Sequence, residues 1–203
     1  MGIGNHENFY RKLHSLAGII PVGVFLTFHL FLNYSAVWGE DAYNTASGFM
    51  GNLPFKYALE IFIIFLPLFY HAIYGAKIAL QAKNNVGQYK YMRNWMFFFQ
   101  RLTGFIAFAF VIWHVWQTRV QAELGVHVDF NMMASIVENP LSLVLYIIGI
   151  LSAIYHFTNG IWTFLITWGI TVSPKSQKIL QYITIALFFA LSFVGLRAIF
   201  AFI

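Results

Sequence analysis

Four histidines lie inside long apolar segments of the chain, where an imidazole needs a partner or a function. They are His29, His71, His114 and His156. One such residue could be satisfied by a hydrogen bond between two helices. Four of them, one on each of four successive segments, indicate a common role, and the chemistry that imidazole nitrogen offers in hydrocarbon is ligation of a metal.

The spacing of these histidines indicates a repeated unit. Forty-two residues separate His29 from His71, and the same number separates His114 from His156. An offset of 85 residues relates the first two histidines to the last two. The sequence therefore predicts two helical hairpins that present histidine in the same way.

The elements that carry the histidines are predicted to be transmembrane helices. Of the 203 residues, 60% are hydrophobic and 9% are charged, whereas soluble domains carry about 25% charged residues. An apolar helix of about 20 residues crosses a bilayer core. The fold class predicted is thus all-α, a single membrane domain over residues 1–203 with five transmembrane helices, at roughly 13–34, 57–82, 97–118, 141–169 and 179–202.

Basic residues are unequally divided between the two ends of these predicted helices. Nine of the twelve lie at the end that carries the N-terminus, and by the positive-inside rule that end is predicted to be cytoplasmic and the C-terminus outside. Because the basic residues flank apolar runs and do not form a stripe, we expect no nucleic-acid partner. The apolar run 19–32 is expected to be a retained first helix rather than a cleaved signal peptide. The nine are Arg11, Lys12, Lys77, Lys83, Lys90, Arg93, Arg101, Lys175 and Lys178.

Depth along the predicted helices pairs the four histidines. His29 and His114 lie about 8 Å from the outer ends of their helices, whereas His71 and His156 lie about 23 Å from theirs. Residues at equal depth can face each other, so we expect an outer pair, His29 with His114, and an inner pair, His71 with His156. The two levels are predicted to be about 15 Å apart.

Two histidines at each level favour haem over zinc. Zinc sites use three or four protein ligands, and no acid is predicted near either pair. The chain has no cysteine, which excludes iron–sulfur ligation and c-type haem attachment. We therefore expect two six-coordinate haems that transfer electrons. Glycines four residues after the inner histidines, Gly75 and Gly160, are expected to make room for a macrocycle. A haem-free transporter with satisfied core histidines is the alternative.

The remaining three histidines offer weaker signals. His14 and the following Ser15 lie at the inner start of the first helix, and they are candidates for contact with a propionate of the inner haem. A helix cap and a surface histidine are the simpler interpretation of the two. His6 and His127 lie in polar segments and are expected at the surface.

Several segments of the chain resemble the cytochrome b558 membrane-anchor subunits of Bacillus-type succinate dehydrogenases. The resemblance covers essentially the whole chain in long ungapped runs. The segments that carry it are Phe9-Tyr-Arg-Lys-Leu-His-Ser-Leu-Ala-Gly18, Leu53-Pro-Phe-Lys-Tyr-Ala-Leu-Glu-Ile-Phe62, Tyr89-Lys-Tyr-Met-Arg-Asn-Trp95, Trp113-His-Val-Trp116 and Tyr155-His-Phe-Thr-Asn-Gly-Ile-Trp162.

The resemblance implies a di-haem electron-transfer subunit in a bacterial cytoplasmic membrane. Flavoprotein and iron–sulfur subunits would dock on the cytoplasmic face, and electrons would pass from succinate to menaquinone. The inner, higher-potential haem would use His71 and His156, and the outer, lower-potential haem His29 and His114. A quinone site near the outer haem is implied, with Glu60 as a candidate contact. Anchors of fumarate reductases share this architecture, and anchors of formate dehydrogenases or hydrogenases use other histidine layouts.

Overall fold

The computed structural model describes the backbone of residues 3–203 and the side chains of residues 6–203, and every regular element in that part of the chain is helical. Two short helices, α2 (Glu40–Gly51) and α5 (Phe130–Val137), lie between longer ones. Five helices are long and apolar enough to cross a membrane, as predicted. They are α1 (His6–Trp38), α3 (Lys56–Gln81), α4 (Met92–Glu123), α6 (Pro140–Thr167) and α7 (Pro174–Phe200).

The ends of the last two spans follow from capping. The Asn139 side chain accepts hydrogen bonds from the first backbone N–H groups of α6, and Pro140 occupies the first turn, as its position suggested. Helix α7 begins at Pro174, five residues before the predicted start, because Ser173 caps it by accepting from the backbone N–H of Ser176. Gly169, with φ 72°, turns the chain between the two helices.

Helix α6 forms the centre of the bundle and packs against α4 and α7, while α7 packs against the second half of α1. Ile154 of α6 is fully buried between Leu30 of α1 and Leu191 of α7. Helix α3 has no buried residue and contacts mainly α1. Hydrogen bonds link α3 to α1, from the Tyr70 hydroxyl to the Tyr10 carbonyl and from Nδ1 of His71 to the His14 carbonyl.

Three of the spans contain a π-helical turn, which widens the helix locally and is common at functional sites. The turns occupy Gly18–Gly23 in α1, Glu60–Phe65 in α3 and Trp116–Val120 in α4. In α1 the cause is visible in the sequence, because Pro21 lacks a backbone N–H and disturbs the normal ladder. An ion pair between Glu60 and Arg119 links the second and third turns at one end of the bundle, which we call the outer end.

Helices α2 and α5 form a cap over the outer end, in segments that the sequence suggested only as polar breaks. Asp129 caps α5 by accepting from the backbone N–H of Met132 at 2.8 Å, and this bond lowers the pKa of the Asp129 carboxyl. Tyr43 of α2 packs edge-on against Phe202 at the end of α7. Burial, and to a lesser extent the Asp129 charge, raises the pKa of Tyr43 to about 12.

Candidate functional site

The structure brings the four intramembrane histidines together in the two pairs that depth predicts. The ring centroids of His71 and His156 are 5.9 Å apart, with 81° between the ring planes. Those of His29 and His114 are 5.8 Å apart, at 71°. His6 and His127 are exposed, as expected. In the described part of the chain no group of three or more histidine, cysteine or acidic side chains is arranged to hold one metal ion.

Each ring of the inner pair lies against a glycine of a neighbouring helix. A Cβ placed on Gly18 of α1 would lie 2.5 Å from Nδ1 of His71, and one on Gly104 of α4 would lie 2.9 Å from Cε1 of His156. Real Cβ atoms essentially never approach other atoms so closely. The two inner rings therefore occupy space that any side chain at these glycines would fill.

Backbone carbonyls fix the tautomer of both inner histidines. Nδ1 of His71 donates to the carbonyl of His14, and Nδ1 of His156 donates to the carbonyl of Gln100, both at 2.9 Å. A carbonyl oxygen only accepts, so Nδ1 carries the hydrogen in both rings. Nε2 of each ring is then left with a free lone pair, which is the state that ligates a metal.

Gln100 also holds His156 through its side chain. Its Nε2 donates to the backbone carbonyl of His156 at 3.0 Å, and its Oε1 accepts from Nδ2 of Asn159 at 2.6 Å. Asn159 is buried, and its Oδ1 lacks a partner among the described residues. Polar residues inside an apolar helix are a sequence signal of function, and this signal could have identified both residues.

His14 lies beside the inner pair, whereas the hydrogen bonds of Ser15 are made with Lys12 and Trp168. The ring of His14 stacks on that of His71, with centroids 4.3 Å apart and 5° between the planes. Ser15 donates to the carbonyl of Lys12 and accepts from the indole of Trp168 at 3.1 Å. Contact with a propionate stays a prediction for both residues.

The two glycines expected to accommodate a macrocycle do not have a shared role. A Cβ on Gly75 would lie 2.8 Å from Nε2 of His14, so this glycine makes room for the stacked histidine. A Cβ on Gly160 would meet only Gln100 and Ile19 at ordinary contact distances of 3.6 and 3.9 Å. The role expected for both glycines beside a macrocycle stays a prediction.

Aromatic and polar side chains surround the outer pair. The ring of Phe110 stacks on that of His114 at 5.6 Å, and Gly149 of α6 makes room for this phenylalanine. The Tyr146 hydroxyl lies 3.2 Å from Nδ1 of His114. Nε2 of His29 lies 3.3 Å from the amide of Asn33, which gives its shorter bond, 2.8 Å, to the backbone carbonyl of His29.

An ion pair joins α3 and α4 at the outer end. Arg119 donates to both carboxylate oxygens of Glu60, at 2.6 Å for the shortest contact, and it also bonds Glu123 on its own helix. The side chains of Arg119 and Glu60 are 23% and 19% exposed. This ion pair thus links the π-helical turns of α3 and α4 at the outer end of the bundle.

The inner end of the bundle carries basic and aromatic side chains. In the segment before α4, the rings of Tyr89 and Tyr91 stack 6.4 Å apart and both are exposed. Arg93 bonds the Gln177 side chain and lies over the Trp162 ring at 5.5 Å. Tyr91 is therefore available to a partner, while Arg93 is partly engaged within the chain.

Comparison with known proteins identifies a matching family and a relative of similar length. Residues 79–195 match the model of a family described as the succinate dehydrogenase/fumarate reductase transmembrane subunit. Over 200 residues the chain is 60% identical to the succinate dehydrogenase cytochrome b558 subunit of Bacillus subtilis (strain 168), covering 98% of this chain and 99% of the relative.

Proposed function

The chain belongs to the succinate dehydrogenase/fumarate reductase transmembrane subunit family, and from this premise we propose that it is the di-haem cytochrome b anchor of a bacterial succinate:quinone oxidoreductase. The proposal assigns one haem b to His71 and His156, and a second to His29 and His114. Bound there, the haems would carry single electrons through the membrane between an iron–sulfur subunit and menaquinone.

The fixed tautomers of the inner pair are the observation that carries this proposal. Two imidazoles on opposite sides of one metal, each with a nitrogen about 2 Å from it, place their ring centroids about 6 Å apart. Both pairs have this spacing, 5.9 and 5.8 Å. Since Nδ1 of both inner rings donates to a carbonyl, Nε2 is free to bind iron. The donor set therefore fits a bis-histidine haem at each level.

The basic inner end supports docking of the iron–sulfur and flavoprotein subunits on the cytoplasmic side. Tyr91 is 71% exposed and sits beside basic residues of the same segment. Positive charge near cytoplasmic helix ends is also expected for any membrane protein, so the aromatic exposure is the more specific sign. A photocrosslinker at position 91 is expected to label the iron–sulfur subunit, and one at Phe49 of the outer cap is the matched control.

At the outer end, we propose that menaquinone reacts near the outer haem and that Glu60 lies at this site. The carboxylate is held by Arg119 in a partly exposed position at the membrane edge, where it could exchange protons with water. Replacing Glu60 with Gln is expected to raise the KM for the quinone while the haem content stays unchanged. An unaltered KM would remove Glu60 from the proposed site.

The haem stoichiometry of the purified protein tests the proposal as a whole. A pyridine haemochrome assay is expected to give two haems b per polypeptide. A preparation that assembles with the dehydrogenase subunits and transfers electrons without haem would contradict the proposal.

A further inference from the structure

A partly buried chain of two hydrogen bonds leads away from His114. The Tyr146 hydroxyl of α6 lies 3.2 Å from Nδ1 of His114, and it donates to Oε1 of Gln117 at 3.2 Å. Gln117 lies on α4, one turn after the histidine. Tyr146 is 2% exposed, so its hydroxyl is shielded from bulk water, whereas His114 and Gln117 are half-buried.

The direction of the bonds follows from the donors available. The Tyr146 hydroxyl has one hydrogen, and the Gln117 carbonyl oxygen takes it. The phenol oxygen must then accept from Nδ1–H of His114. This fixes the tautomer of the ring and leaves its Nε2 free, as the backbone carbonyls do for the inner pair.

On the basis of the proposed di-haem function, we propose that Tyr146 is a positioning residue for His114 and that its hydroxyl sets the reduction potential of the outer haem. A hydrogen bond accepted from Nδ1–H makes the imidazole a more basic ligand. A more basic ligand favours ferric iron and lowers the potential. The bond therefore contributes to a low potential at the outer level.

A side-chain hydroxyl as the partner of a histidine Nδ1 is found only at the outer pair, among the four histidines described. The Nδ1 partners of the inner pair are main-chain carbonyls, at His14 and Gln100, and no side-chain substitution removes a carbonyl. The His114 bond depends on a single phenol oxygen. A substitution at Tyr146 should therefore change one haem and leave the other as it was.

Tyr146→Phe is the decisive variant, because it removes the hydroxyl and keeps the ring that packs against Phe110 and Trp113. Tyr43→Phe is the matched control, since Tyr43 is buried in the same hydrophobic cluster as Tyr146 and its ring packs against Phe130 and Phe202 rather than against a described histidine. Gln117→Leu is a milder variant. It keeps the hydroxyl but removes the acceptor that orients it.

The experiment is an optical redox titration of the purified complex, with haem content measured in the same samples. Wild type must first show two haems and two components; a shortfall there overturns the di-haem function itself. Tyr146→Phe is then expected to raise the ratio of reduced to oxidised outer haem, at a fixed potential, by roughly three- to tenfold. A tenfold change in this ratio corresponds to a rise of about 59 mV in the midpoint potential for one electron. The inner component and the Tyr43→Phe titration are expected to match wild type.

Tyr146→Phe with both haems bound and both midpoints as in wild type would overturn the inference, and so would an equal shift of both components. If that variant loses the outer haem, Gln117→Leu decides. A smaller shift of the outer component in the same direction supports the inference, and an unshifted outer midpoint overturns it. The ferric electron paramagnetic resonance signal of the outer haem is expected to change with the midpoint, because the ring loses its rotational restraint.

Discussion

The inner and outer pairs are similar in ring spacing but differ in what holds them. The main chain supplies the Nδ1 acceptors of both inner rings and leaves them space at Gly18 and Gly104, and the His14 ring and the Gln100 side chain add to these contacts. Side chains hold the outer rings, through Tyr146, Phe110 and Asn33. The inner geometry is therefore fixed by the way the helices pack, whereas the outer geometry can be adjusted by single substitutions that leave the bundle unchanged.

The largest expected effect of substitution is at the glycines of the inner level. Gly18→Ala or Gly104→Ala would place a Cβ against His71 or His156, and we expect loss of about one of the two haems per polypeptide. Helix propensity alone would favour alanine by about 1 kcal/mol, so the effect opposes the intrinsic preference. The measurement is haem content with an optical spectrum of the remaining component.

Gly48→Ala is the control for these variants, because a Cβ there meets no atom within 4 Å. Full haem content in both inner variants would show that the glycines do not shape the inner site. Loss of the outer haem component instead of the inner one would contradict the claim that Gly18 and Gly104 shape the inner site.

A smaller effect is expected from the ion pair at the outer end. Arg119→Met leaves the partly buried Glu60 carboxylate without its partner, and we expect a destabilisation of about 1–3 kcal/mol, reduced from the value for a fully buried pair by the remaining exposure. Thermal unfolding in detergent measures it, and the double variant with Glu60→Gln should recover part of the loss. Arg11→Met, which breaks the exposed pair with Glu7, should cost at most about 0.5 kcal/mol.

His14→Ala tests the predicted propionate contact at the inner level. The backbone carbonyl that accepts from His71 remains, so we expect the inner haem to stay bound. If the His14 ring donates to a propionate, its removal leaves that negative charge less compensated and lowers the inner midpoint, while the outer midpoint stays unchanged. An inner midpoint equal to that of wild type would assign His14 a packing role alone.

The smallest expected effect concerns the outer cap and pH. The pKa of Asp129 is lowered by its bond to the Met132 N–H, so the ionised carboxylate stabilises the folded cap. That stabilisation is complete above the unfolded pKa of about 4 and is lost as pH falls through the lower folded value. Asp129→Ala should cost about 1 kcal/mol and remove the pH dependence. Hydrogen exchange of α5 measures both, and Asp129→Asn should retain capping without the pH dependence.

The sequence predicts the scaffold and the pairing of the histidines because both depend on regular features. Hydropathy identifies five spans, and a rise of 1.5 Å per residue converts histidine positions into depths. The pairing of His71 with His156, and of His29 with His114, requires no knowledge of side-chain rotamers. Capping residues such as Asn139 and Pro140 also act locally, so the start of α6 was predictable to within one residue.

What the sequence could not predict depends on contacts between helices. Tyr146 and Gly104 act through their distance to a histidine on another helix, and nothing in their own neighbourhood marks them. The cap helices α2 and α5 were not predicted, because their apolar faces extend over only eight to twelve residues. The mean hydropathy of such a polar segment conceals a short amphipathic pattern. The stacking of His14 on His71 was not predicted, because it too is a contact between two helices.

The assignment of one haem to each pair can be tested most directly by a redox titration of two single variants, His71→Ala and His29→Ala, in the assembled complex. Loss of the higher-potential component is expected in His71→Ala, with the lower-potential component retained, and the reverse is expected in His29→Ala. Loss of the higher-potential component from the His29 variant, with its retention in the His71 variant, would contradict the assignment of the two levels.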